Sequence, residues 1–103
     1  MSDKINQAAV PTIIPPTNGR VVLFTPGKDF PGVWHDPSQK LAATVCHVWG
    51  PRMVNLVVTD SNGVQHPQTS VDLLQPGDDP AIYDMHRRFA EWMPFQIGQA
   101  KRA

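Results

Sequence analysis

Four histidines, one cysteine and nine carboxylates are the side chains with which this 103-residue chain could do chemistry. General acid-base catalysis needs such groups held within hydrogen-bond reach of one another, and zinc needs closely spaced ligand pairs. His35, His47, His66 and His86 instead stand one to a segment, with no pair at zinc-site spacing. The carboxylates cluster only at Asp78 and Asp79, where turn and helix-cap chemistry accounts for them. Ser61 and Ser70 lack the context of a nucleophile elbow, and Cys46 has no histidine paired with it in the sequence. Glycine-rich phosphate loops are absent as well. These patterns predict no catalytic residue, no metal site and no cofactor, and argue against an enzyme.

Binding chemistry is better represented. Trp92, Met93, Pro94, Phe95, Gln96, Gln99 and Lys101 bring together two large rings, a thioether, two primary amides and a cation beside a chain kink. Rings and methionine supply contact area while amides specify hydrogen bonds, the mix of an interface or ligand wall. The same Trp92, Met93 and Phe95 could close a core, and the two roles are compatible. Phe30, Trp34 and His35 form a second aromatic group, in a loop that either shapes a groove or plugs a barrel end. Trp49 and Arg52 add a ring for stacking and a guanidinium for phosphate, with Arg87 and Arg88 as further cations.

The elements that must position these groups are mostly strands. Residues 41–50 place Ala43, Val45, His47 and Trp49 on one face and Ala42, Thr44, Cys46 and Val48 on the other. Both faces are largely apolar, which predicts a central strand with Cys46 buried as a small hydrophobe. After Gly50 and Pro51, residues 53–59 resume with Val54, Leu56 and Val58 opposite Asn55, Val57 and Thr59, a β-branched density that favours a pleated strand. Asn62 and Gly63 then supply the positive φ of a tight hairpin turn. The returning residues 64–71 contain Pro67, which cannot donate to a ladder and belongs on an edge or at a bulge. Upstream, Asn18 and Gly19 turn the chain into a short strand over residues 20–25.

Two segments read differently. Pro11, Pro15 and Pro16 make residues 1–18 an extended arm carrying Ile13 and Ile14, laid across a neighbour or packed on its own barrel. Asp79 as cap, Pro80 at the first position and Ile82, Met85, His86, Phe89 and either Trp92 or Met93 at helical spacing predict a helix over residues 80–92, with Asp84 and Arg88 paired on its outer face.

Composition bounds the partners. Nine basic residues balance nine acidic ones, so no global field attracts nucleic acid or an anionic membrane. An apolar fraction of 41% supports a globular domain, and the eleven prolines, about twice the usual share, fit a small β protein with irregular connections. The first nine residues are polar and the apolar runs are too short to span a bilayer, so a reducing cytoplasm is expected.

Several of these motifs resemble a family of small proteins from tailed bacteriophages and prophages. They are Asn18 to Phe24, Val48-Trp49-Gly50, Val54-Asn55-Leu56 with Asp60 and Gly63, Thr69-Ser70-Val71, and above all Trp92-Met93-Pro94-Phe95-Gln96-Ile97-Gly98-Gln99-Ala100-Lys101. The likeness spans most of the chain from Asn18 onward, and departs before Leu41 and between Asp79 and Phe89. It implies viral origin and a place in the host-cell cytoplasm, with no activity to carry over.

The combined expectation is a mainly β fold: a small antiparallel barrel similar to Src-homology-3-like barrels, of four or five strands with one C-terminal helix, over residues 19–103. Its expected function is non-enzymatic binding of a host protein or a small nucleotide signal, as an accessory factor acting against host defence. The alternative is a virion or assembly component. A homo-oligomer is expected, with no membrane and no strong nucleic-acid binding.

Overall fold

The computed structural model of the chain describes residues 13–27, 39–79 and 88–102. Within them the order is β1 (Val21–Thr25), β2 (Leu41–Gly50), β3 (Met53–Thr59), β4 (Gln65–Leu74), β5 (Phe89–Glu91) and α1 (Pro94–Arg102). The strands close into a five-stranded barrel in chain order, β5 returning to pair with β1. Neighbours run antiparallel except β4 and β5, which are parallel in the register Asp72↔Phe89, Leu73↔Ala90, Leu74↔Glu91. The barrel is therefore mixed, because β5 is reached by a long connection, which parallel pairing requires, and not by a hairpin.

Inward positions follow the two-residue alternation of each strand. Val22 and Phe24 of β1, Leu41, Ala43 and Val45 of β2, Val54, Leu56 and Val58 of β3, Val71 and Leu73 of β4, and Ala90 of β5 form one buried core with Ile14 and Trp92. Large residues face small ones at two ladder positions: Phe24 pairs with Ala90, and Val58 with Ala43. Each fully buried Val, Leu or Phe contributes about 1.5–3 kcal/mol relative to exposure. Ile97 and Ala100 of α1 pack against this core from outside.

Several sequence expectations are corrected. β2 is central in its pairing, between β1 and β3, yet only one of its faces is buried. Its partner residues step from Val45↔Leu56 to His47↔Asn55 and from Val48↔Val54 to Gly50↔Met53, so Cys46 and Trp49 are extra residues in two bulges. The first bulge shifts the inward phase from Val45 to Val48, leaving Cys46 exposed where burial was expected. In the β3–β4 turn only Gly63 has positive φ, +84°, and Asn62 does not. Asp60 N–H donates to Val64 O at 2.8 Å and Gly63 N–H to Asp60 O at 2.9 Å, a three-residue loop with glycine in the left-handed position.

The helix, too, lies elsewhere. Of residues 80–92, those at 80–87 fall outside the described residues, with the Asp84 of the expected Asp84–Arg88 pair among them; Phe89–Glu91 is strand, and Trp92 precedes the helix. Ala90 and Trp92 alternate inward, and two ladders outweigh the helical spacing of Phe89 and Trp92. Pro94 does not end a helix but starts α1, since the first helical residue needs no N–H. Gln96 reaches back with Oε1 to accept the Met93 N–H at 2.8 Å, half of a capping box.

The proline-rich segment before β1 packs on its own barrel. Ile14 and Pro16 are buried while Ile13 is exposed. Thr17 to Arg20 then turn the chain, with Gly19 at φ +95°, and Gly19 N–H donates to Val45 O at 2.7 Å. Among the described residues no helix is long and apolar enough to cross a membrane.

Candidate binding face

Asn55 lies opposite a bulge on each neighbouring strand. On the β2 side the register passes Cys46; on the β4 side it jumps from Leu56↔Gln68 to Val54↔Val71, so Thr69 and Ser70 together face Asn55. Ser70 sits at φ +54°, a left-handed backbone that a non-glycine residue holds at a cost of about 1–3 kcal/mol. The Asn55 side chain takes up the displaced backbone group: Ser70 N–H donates to Asn55 Oδ1 at 2.8 Å. Trp49 Nε1–H donates to the same oxygen at 2.9 Å.

Trp49 is the extra residue of the second β2 bulge, and the bulge turns its ring out of the barrel. It is 62% exposed. Besides the Asn55 bond, its ring meets that of His47 edge-on, with centroids 4.4 Å apart and planes at 70°. A large aromatic is thus fixed at the surface before anything touches it. His47, Trp49, Asn55 and Ser70 form one face of aromatic surface and hydrogen-bonding groups.

The charges nearby are committed to the fold. Arg52, in the β2–β3 turn, donates through Nε to Asp78 Oδ2 at 3.0 Å and through Nη2 to Oδ1 at 3.2 Å. That guanidinium is the main reason the Asp78 carboxyl lies below its ordinary value; partial burial opposes the shift and the Gln75 N–H assists it. Arg88 donates to Gln68 Oε1 at 2.6 Å and to the Thr69 carbonyl. His66 is bonded to Asp60 at 2.8 Å. Among the described residues no three His, Cys, Asp or Glu side chains stand close enough to share a metal ion.

The residues singled out from the sequence are divided by the fold. Trp92 is 2% exposed and belongs to the core, with the Arg20 guanidinium 5.5 Å from its ring centroid. Its Nε1 is buried and has no partner among the described residues. Met93 is half-buried at the start of α1, Pro94 and Gln99 are exposed, and Phe95 is 66% exposed. Gln96 is spent on structure, its Oε1 on the Met93 N–H and its Nε2 on the Val21 carbonyl at 2.8 Å. The backbone of Lys101 is in α1, while its side chain lies outside the described residues, as do Phe30, Trp34 and His35. No hydrogen bond or ring contact among the described residues joins Trp49 or Asn55 to α1.

Sequence reasoning passed over Asn55, Ser70 and His47 as site residues. The available signal was Asn55 itself, a poor strand former among valines and leucines, which needs a local reason to be there. A separate open depression of about 160 Å³ lies between Gln75, Asp78, Glu91, Trp92 and Ile97. Its carboxylates are paired with Arg52 and with Lys40. Comparison of the chain with protein-family models, with curated proteins and with solved structures returned no match.

Proposed function

We propose that this chain is a non-enzymatic binding module that docks on a protein partner through His47, Trp49, Asn55 and Ser70. The observation that carries the reading is Trp49: a 62% exposed indole held by a hydrogen bond and an edge-on ring contact. Tryptophan is among the residues enriched at binding hot spots. Fixing such a side chain in advance removes an ordering cost of about 0.5–1.5 kcal/mol from association. A strained Ser70 beside it, held by the same Asn55 oxygen, is the kind of stored backbone cost that collects at functional sites.

A protein partner fits better than a nucleotide signal, because Arg52 and Arg88 already bond within the chain. With the resemblance of its motifs to tailed-phage proteins, the reading is a phage accessory protein that binds a bacterial host factor in the host cytoplasm. A virion or assembly role has its own observation in favour: exposed Phe95 and Val21 flank the Gln96 bond to β1, a second apolar patch suited to copies of the chain.

The test is affinity capture from host extract with the parent and with Trp49→Ala, read by quantitative mass spectrometry and by light scattering. Loss of one specific partner at unchanged thermal stability supports the reading; an unchanged partner set refutes it. An oligomer that survives Trp49→Ala and dissociates in Phe95→Asp transfers the weight to the assembly role.

A further inference from the structure

We infer that Asn55 selects what the Trp49 face binds: an extended protein segment that offers an uncharged carbonyl oxygen beside an apolar side chain. The inference rests on the reading of that face as a binding site and adds the chemistry of its occupant.

The orientation of the Asn55 amide is forced. Its Oδ1 receives two groups that can only donate, the Trp49 indole N–H and the Ser70 backbone N–H. Its Nδ2 therefore points the other way, and among the described residues it has no partner. Two N–H donors are fixed in direction beside an exposed ring. The Trp49 ring has no donor left to offer, because its single N–H is consumed by Asn55. It presents apolar area only.

Charge decides which acceptor fits. A carboxylate or phosphate is bound well where a cation compensates it, and Arg52 is held by Asp78 while Arg88 is held by Gln68 and Thr69. A main-chain carbonyl needs donors but no cation, and an extended segment places such a carbonyl next to a side chain that can lie on the indole. A site whose donors are fixed rejects a ligand without the matching acceptor, since the N–H groups would be covered and unpaired.

The probes are an acetylated, amidated tetrapeptide of alanine, valine, leucine and alanine, sodium acetate and inorganic phosphate. Each is titrated into the full ¹⁵N-labelled chain while the Asn55 side-chain NH₂ and the Trp49 indole N–H signals are followed. The expected result is that the capped peptide moves both signals and the two anions move neither. Asn55→Asp keeps an oxygen for Trp49 and Ser70 and puts a charged acceptor in place of the NH₂ donor, so it should retain a dispersed spectrum and bind the peptide about tenfold more weakly or worse. Peptide binding that shifts Trp49 but is indifferent to Asn55→Asp overturns the selector role and leaves the face standing. Stronger response to acetate or phosphate overturns the uncharged acceptor, from the parent spectra alone. If no probe moves either signal, the selector and the face fall together.

Discussion

The side-chain amide of Gln75 holds the main chain of Ile14 at both ends, Oε1 2.8 Å from the Ile14 nitrogen and Nε2 2.9 Å from its carbonyl oxygen. One side chain thus takes the place of a neighbouring strand. The same Nε2 also donates to Pro51 O at 2.6 Å, and Gln75 itself is 2% exposed. Its loop is set by a turn from Gln75 to Asp78 with Pro76 second and Gly77 third at φ +88°, the residue order of a type II turn. The segment before β1, the β2–β3 turn and the exit of β4 therefore meet at one buried amide.

Gln75→Leu keeps the bulk of that side chain and removes its hydrogen bonds, leaving the Ile14 N–H and two carbonyls without partners. The expected loss is about 2 kcal/mol or more in urea denaturation, the penalty for stranded buried polar groups. Amide exchange at Ile14 should quicken by a larger factor than at Leu56. Equal acceleration at both sites would show that Gln75 supports the whole barrel and not the docked segment.

Asp60 makes stability depend on acid. Its carboxylate faces His66 Nε2 at 2.8 Å and accepts the N–H groups of Asn62 and Val64 at 2.9 Å each. The His66 hydrogen bond is the main reason its pKa lies below the ordinary 3.8; burial opposes the shift, and the two turn N–H groups reinforce it. The unfolded chain therefore holds the proton more tightly than the folded one. The carboxylate's contribution is complete above 3.8 and disappears as pH falls through the lower folded value. Asp60→Asn should lower the urea midpoint at neutral pH, and the gap to the parent should close in strong acid. A gap that persists unchanged there would contradict the assignment.

Gly63 separates backbone strain from packing. A Cβ at this position meets nothing within 4 Å, and the same holds at Gly50, but only Gly63 of the two has positive φ. Gly63→Ala should cost about 1 kcal/mol, the left-handed penalty of a side-chain-bearing residue, with Gly63→Asn costing less. Gly50→Ala has no such penalty to meet. Thermal denaturation of the three variants checks the order.

Much of the barrel was readable because its strands keep their alternation. Val22 and Phe24, and then Val54, Leu56 and Val58, are buried as the period-two pattern requires. The pattern failed where a residue is inserted. Ala42, Cys46 and Val48 made the second face of β2 look as apolar as the first, so nothing in residue type marked Cys46 and Trp49 as bulged. The proposed binding face lies in that blind region. Near the end of the barrel, Phe89 and Trp92 carry helical spacing, and only the pairing of Phe89–Glu91 with β1 and β4 decides against it, a tertiary effect that local pattern cannot contain. Gln75 was legible only as a polar residue before a turn, because its partners lie far away in sequence.

Among the described residues, the three residues of β5 are the strand that joins the first strand to the fourth. Local opening is cheapest where the fewest contacts are broken. A lengthwise opening beside Ala90 breaks three ladder pairs on either side of β5, against four between β1 and β2, and spares the β2–β3–β4 meander. Arg20 over Trp92 and Gln96 on Val21 add contacts between the start of β1 and the chain that follows β5. The Trp49 platform draws its residues from β2, β3 and β4, so none of it is built on β5.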